Sequence, residues 1–180
     1  MLYTRKGDTG TTIFFGTKRR FPKNSSRIEA LGALDELNSL LGLCKAKSKR
    51  KIAAVLDDAQ NDLFIIQAEI AAAYARSGKK LPEGRVHEIE KVVDGIEKKI
   101  PKIAHFTVPG GSELSALLDY ARAVSRRAER RLVTLHESSE RLISESSRAY
   151  ANRLSSLFYA LTRLVNHRAG ITETPPRYRS

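Results

Sequence analysis

A single cysteine, Cys44, is all the thiol chemistry in the 180 residues. That excludes an internal disulfide framework and suits a reducing compartment. Cys44 stands among Leu40, Leu41 and Leu43, the setting of a buried, inert thiol. No apolar run approaches the ~20 residues needed to cross a bilayer, so no membrane partner is expected. The first eight residues hold no apolar stretch of the signal-peptide kind, and a cytoplasmic location is the expectation. Metal and nucleophile motifs are lacking as well. His87, His105, His136 and His167 are scattered and form no E-x-x-H helix pair, which argues against a di-iron bundle site. There is no C-x-x-C, H-E-x-x-H or G-x-S-x-G sequence, so zinc and serine-hydrolase readings fall away. Acidic residues are few: 20 Asp and Glu face 32 Lys and Arg, a net charge of +12. An anionic partner follows, and nucleic acid, an acidic membrane surface and a polyphosphate nucleotide all meet that requirement.

What is present is ordinary globular composition, 41% hydrophobic and 29% charged, in a chain of single-domain length. Residues 1–26 carry Gly7, Gly10, Gly16 and Pro22 but no helical period, and read as a loop with a short extended hairpin around residues 11–15. Six basic residues (Arg5, Lys6, Lys18, Arg19, Arg20 and Lys23) face one acid there, Asp8. From Arg27 the apolar residues recur at steps of three and four, with Ser25 or Ser26 as N-cap. A second run over 52–76 aligns Val55, Ala59, Leu63, Ile66, Ile70 and Tyr74, and Ser77-Gly78 ends it. A third helix is expected over 83–100, stopped by Pro101. A fourth begins after Ser112 and reaches about His136; a fifth runs from Glu140 or Ser144 to Arg168. No series of strands appears. The expected fold is all-α: a basic loop segment at 1–26, a five-helix bundle at 27–170 and a tail at 171–180.

The fourth helix has the densest polar signal. At about 100° per residue, Arg122, Arg126, Glu129 and Arg130 share one face. Leu114, Leu117, Ala121, Ala128, Leu132 and Leu135 occupy another, which packs into the bundle. Arginines stacked on one face repel unless an anion or carboxylates neutralise them, and the guanidinium fork suits phosphate. A solvated face is the plain alternative. On the fifth helix Tyr150, Leu154, Leu157, Phe158, Leu161 and Val165 form the apolar side. Asn152, Ser156, Tyr159 and Arg163 form a polar stripe, and a hydrogen-bonding role would offset the poor helix preference of Asn152. Asp35 falls close to the apolar stripe of the first helix, where a carboxylate usually seeks a cationic partner; a fourth-helix arginine, from this or another subunit, would serve, and a half-exposed Asp is the plain alternative. The loop at 4–12 lets backbone approach a phosphate closely, yet it is not a Walker A sequence.

Five blocks occur in order: T-R-K-G-D-T-G-T-T at 4–12, A-L-D-E-L-N-S at 33–39, F-T-V-P-G-G at 106–111, R-x-x-x-R-R-A-E-R at 122–130 and N-R-L-S at 152–155. Together they resemble the PduO-type ATP:corrinoid adenosyltransferases over most of the chain. The resemblance implies a homotrimer of five-helix subunits with sites between neighbours. It implies transfer of the 5′-deoxyadenosyl group of ATP to cob(I)alamin, release of triphosphate, and assistance by Mg²⁺. It implies that Thr4, Arg5, Lys6, Gly7, Thr12 and Lys23 hold the triphosphate. Arg126, Arg127, Ala128, Glu129 and Arg130 would contact ATP, with Asn152 near the nucleoside. Asp35 and Arg122 match a pair linking subunits beside the corrinoid, and Phe106 matches the aromatic that displaces the lower axial base. Ser156 stands where family members often carry Asp, so a carboxylate is missing.

The chemistry implied needs no catalytic His or Cys, because cob(I)alamin is itself a strong nucleophile. The protein must align cobalt with C5′ and stabilise an anionic leaving group. A reductase and an adenosylcobalamin-dependent enzyme are the further partners this chemistry suggests. Two other readings stay open on the residues. A basic helical nucleic-acid-binding protein has the pI of about 10 in its favour, against only 7% aromatics and no helix-turn-helix or RRM signature. A corrinoid carrier without turnover has only Ser156 in its favour.

Overall fold

Two short strands and five helices follow one another along the chain: β1 Thr11–Ile13, β2 Arg20–Pro22, α1 Ser26–Ala46, α2 Arg50–Ala71, α3 Glu83–Glu97, α4 Glu113–Ser138 and α5 Glu145–Arg168. They come from a computed structural model that describes residues 3, 5–14, 16–72, 79–138 and 143–178. β1 and β2 form a hairpin, antiparallel with Thr12 opposite Phe21, and its second strand lies beyond the expected span of 11–15. The expected all-α bundle of five helices is the architecture found.

Helix ends follow local chemistry. Ser112 caps α4, its hydroxyl accepting the Ser115 amide at 3.2 Å. Ser144 caps α5 by accepting from the Ser147 amide. Ser25 sits at the N-cap of α1 with extended backbone, but its hydroxyl makes no cap bond. α3 stops at Glu97, three residues before the expected end, although Ile100 is still buried. Tyr74, Arg76, Ser77, Gly78 and Glu140 lie outside the described residues.

α1 and α4 run antiparallel: Ser26 meets Ser138 at 3.1 Å near one end, and Lys47 meets Glu113 at 2.9 Å near the other. α5 returns along α4, where Asn152 donates to Glu129 at 2.5 Å and the Thr162 hydroxyl approaches the Ser115 carbonyl at 3.5 Å. α3 lies along α5 in the same direction: Ser146 meets Leu81 at 2.7 Å before the helix, Arg153 meets Glu90 at 2.8 Å within it, and Arg163 meets Pro101 at 2.6 Å after it. Leu34, Leu37, Leu41, Leu118, Leu132, Leu135, Leu154 and Phe158 are enclosed where these helices meet. Each such side chain stabilises the fold by about 1.5–3 kcal/mol relative to exposure.

Two expectations about faces need correcting. Asp35 is exposed, because the stripe of α1 runs through Leu34, Leu37 and Leu41, and Asp35 is turned about 100° from Leu34. Val55 is only half-buried, while Asp62 and Glu69 lie on the buried side of α2.

Candidate active site

A cleft of about 580 Å³ opens between α4, α5 and the segment at 103–107, a size typical of ligand sites. α4 lines it with Asp119, Arg122 and Arg126, and α5 with Ser155, Ser156 and Tyr159. The segment supplies Phe106, whose ring is 83% exposed. Its own chain covers little of this side chain, which leaves an apolar surface at the mouth of the cleft.

The arginines of α4 differ in their partners. Arg122 donates from Nε to Asp119 at 2.6 Å, one turn earlier on the same helix. Arg127 turns to Glu36 of α1, and Arg131 reaches Glu29 at 3.5 Å. Arg126 lines the cleft, exposed, without a carboxylate partner among the described residues. Ala128 faces the core at 2% exposure, so its side chain supports packing and is not available to a ligand. Glu129 is engaged by Asn152, whose own carbonyl oxygen accepts from Arg153 at 2.8 Å. The expected hydrogen-bonding role of Asn152 is therefore met by a link between α5 and α4.

The basic N-terminal segment is also built. Arg20 donates to the Thr11 hydroxyl at 2.7 Å, to the Thr11 carbonyl at 3.0 Å and to the Lys6 carbonyl. Arg5 adopts the left-handed backbone, φ 57°, and Gly10 does so at φ 76°. Turns close from Gly10 to Gly7 at 3.1 Å and from Lys23 back to Gly10 at 2.9 Å. They bring Lys23 against Gly7, where an added Cβ would lie 3.2 Å from the lysine Nζ. Lys6, Gly7, Thr12 and Lys23 thus share one small hairpin unit. Thr4 lies outside the described residues.

No hydrogen bond or ion pair among the described residues joins the hairpin to Arg126. The hairpin leads into Ser26 beside Ser138, whereas Arg126 lies twelve residues back along α4, about 18 Å at 1.5 Å per residue. Arg122 bonds to Asp119 and not to Asp35, which stays exposed on α1.

The model of the cobalamin adenosyltransferase family matches residues 2–165. The chain belongs to that family. It is 40% identical over 175 residues to a corrinoid adenosyltransferase of Bacillus subtilis, covering 94% of this chain and 89% of the relative. It is 39% identical to the corrinoid adenosyltransferase PduO of Citrobacter freundii over 93% of this chain, but spans only 50% of that longer protein. Among solved structures, a variant PduO-type ATP:corrinoid adenosyltransferase from Lactobacillus reuteri, complexed with cobalamin and ATP, superposes with TM-score 0.91. That alignment has 30% identity and covers 99% of this chain and all of the other.

Sequence reasoning missed Asp119, although its i, i+3 spacing to Arg122 was the available signal. It also missed Arg20 as organiser of the hairpin, counting it only as charge. The cleft itself depends on how the 103–107 segment folds over α4 and α5, and helical periodicity carries no information about that.

Proposed function

We propose that the chain binds ATP and a corrinoid in the cleft and moves the 5′-deoxyadenosyl group from one to the other. The observation that carries this reading is a single cleft lined by both the exposed Phe106 and Arg126, which has no carboxylate partner among the described residues, in a member of this family. Cob(I)alamin supplies the electron pair for the new cobalt–C5′ bond. The C5′–O bond breaks, and its pair leaves on the triphosphate. Arg126 and Arg130 on α4, with Lys6, Gly7, Thr12 and Lys23 of the hairpin, neutralise that developing charge as preorganised donors. Arg5 and Thr4 complete the loop's grip. Phe106 offers an apolar edge at the lower face of the corrin and excludes an axial ligand, which eases reduction to cob(I). The N-terminal segment at 1–26 is the nucleotide-binding part, 27–170 the bundle and 171–180 a tail.

Mg²⁺ takes one or two carboxylates plus phosphate oxygens. Asp119 lines the cleft beside Arg122, while Glu129 lies ten residues on, about 15 Å along α4, so a metal that arrives on the nucleotide would take at most one of the two carboxylates. Among the described residues no group of three or more His, Cys, Asp or Glu forms a dedicated cage. Bound there, Mg²⁺ would neutralise phosphate charge. The exposure of Asp35, with Arg122 bonded to Asp119 in its own chain, supports a homotrimer with sites between subunits, where Asp35 meets a neighbour's α4 face near Arg122. A reductase supplying cob(I) and an adenosylcobalamin-dependent enzyme are the proposed protein partners, in the cytoplasm. Among the described residues no helix is long and apolar enough to cross a membrane.

The deciding assay incubates the protein with ATP, Mg²⁺ and reduced cobalamin and follows the loss of cob(I)alamin absorbance. Turnover with triphosphate release is expected. Corrinoid binding with no absorbance loss would leave a carrier, and nucleic-acid binding at physiological salt without corrinoid binding would support the basic-protein alternative.

A further inference from the structure

Phe106 is 83% exposed, so packing of its own ring does not hold it in place. Its position comes from the backbone on either side, and three anchors fix that backbone. At the near end, Arg163 of α5 donates from Nη2 to the Pro101 carbonyl at 2.6 Å. Two residues beyond Phe106, the Val108 amide donates to the Thr174 carbonyl of the tail at 2.9 Å. Further on, the Gly110 carbonyl accepts from Ser115 Oγ at 3.2 Å and from Asn166 Nδ2 at 3.4 Å. Gly111 then passes so close to α4 and α5, at φ 115°, that a Cβ would collide with Ser115 Oγ and the Asn166 amide.

One ion pair joins these anchors. Arg163 Nε donates to Glu173 Oε2 at 3.0 Å, and Asn166 Nδ2 approaches Glu173 Oε1 at 3.3 Å. Both charged side chains are only 12% exposed. Desolvating such a pair costs about as much as its attraction returns, so its presence is better explained by geometry than by stability. The guanidinium uses two different nitrogens, Nε for the tail and Nη2 for the loop. A lysine ammonium has no such fork.

We infer that Arg163 and Glu173 are positioning residues that clamp the loop at 101–111 between α5 and the C-terminal tail, and so set where Phe106 sits in the cleft. This rests on the reading of Phe106 as the side chain against the corrin. Neither residue touches substrate; both act through the loop.

The test compares Arg163→Lys, Arg163→Met and Glu173→Gln with Phe106→Ala in the full chain. Four quantities are read: the spectroscopic signature of four-coordinate cob(II)alamin in the presence of ATP, ATP affinity, kcat and KM for the corrinoid, and the thermal midpoint. Arg163→Met and Glu173→Gln are expected to lose most of the four-coordinate signature. Turnover should fall about tenfold to 100-fold, the scale of a 1 Å misplacement. ATP affinity should stay at the parent value, and Arg163→Lys should recover part of the signature. A full signature in Arg163→Met beside its loss in Phe106→Ala would overturn the clamp. So would a loss of signature that only tracks a lower thermal midpoint and weaker ATP binding, including in Arg163→Lys. A signature retained in Phe106→Ala would instead overturn the reading of Phe106, and the clamp's purpose with it.

Discussion

Arg122, Arg127 and Arg131 each have a carboxylate, while Arg126 faces the cleft with none among the described residues. An arginine with no structural partner is one whose loss the fold tolerates. Arg126→Ala should therefore leave the thermal midpoint near that of the parent, since surface changes usually stay within about 0.5 kcal/mol. Turnover should drop by about 10²–10³, as when one preorganised donor to a developing anion is removed. Retained turnover with normal ATP affinity would refute the triphosphate role. Cys44 behaves differently. Burial pushes its thiol from 9.0 to about 11, so the folded chain holds that proton after the unfolded chain has released it. A folded pKa above the unfolded value adds stability in full below pH 9, and that stability is lost as pH climbs toward 11. In denaturant titrations the parent should lose stability over this window faster than Cys44→Ala. The difference is at most about 2–3 kcal/mol, the worth of a two-unit shift. Tyr150, raised by burial and by Asp62, is common to both chains and cancels. Equal slopes would mean the thiol titrates in the folded chain. The buried thiol was legible from its leucine neighbours, and yet Leu43 itself is 60% exposed.

At the scale of helices, periodicity located all five because each buries a stripe at steps of three and four. What it could not see were acids that belong to that stripe. Asp62 is buried on α2 and receives Arg85 of α3 through Nε and Nη2, at 2.8–3.0 Å. This bond holds the Arg85 guanidinium above its ordinary pKa. Glu69 accepts from the Ser144 amide at 2.7 Å and from the Ser147 hydroxyl at 2.5 Å, so α2 anchors the start of α5. The partners lie 23 and 75 or more residues away, a distance at which sequence pattern says nothing. Motif spacing did better for Asn152, whose partner Glu129 sits on the neighbouring helix. Asp62→Ala leaves Arg85 half-enclosed against Glu88 alone, and should destabilise the chain by about 3 kcal/mol, the lower end for a broken buried pair. Urea unfolding gives the number. A loss below about 1 kcal/mol would mean that Arg85 finds solvent, which is the behaviour of a surface pair.

The whole molecule poses the question of where one site ends and the next begins. Within a chain the hairpin runs into α1 at Ser26, beside Ser138, and Arg126 lies about 18 Å from Ser138 along α4. If each site draws its loop from one subunit and its arginine from the next, two inactive variants can repair one another. Lys6→Ala damages the loop and Arg126→Ala the helix face, and each alone should be nearly inactive. Unfolded and refolded together at equal ratio, they would assemble at random. A site is then intact when its loop comes from an Arg126→Ala subunit and its arginine from a Lys6→Ala subunit. Chance gives that arrangement at about a quarter of interfaces in a closed ring of identical contacts. Mixed protein should thus recover about a quarter of parental turnover per site, while the same proteins mixed without refolding stay inactive. Sites complete within one chain would recover nothing, because every subunit carries a damaged half. The same result would tell whether dilution to monomers abolishes activity, since an isolated chain would own both halves of the grip but never at the same site.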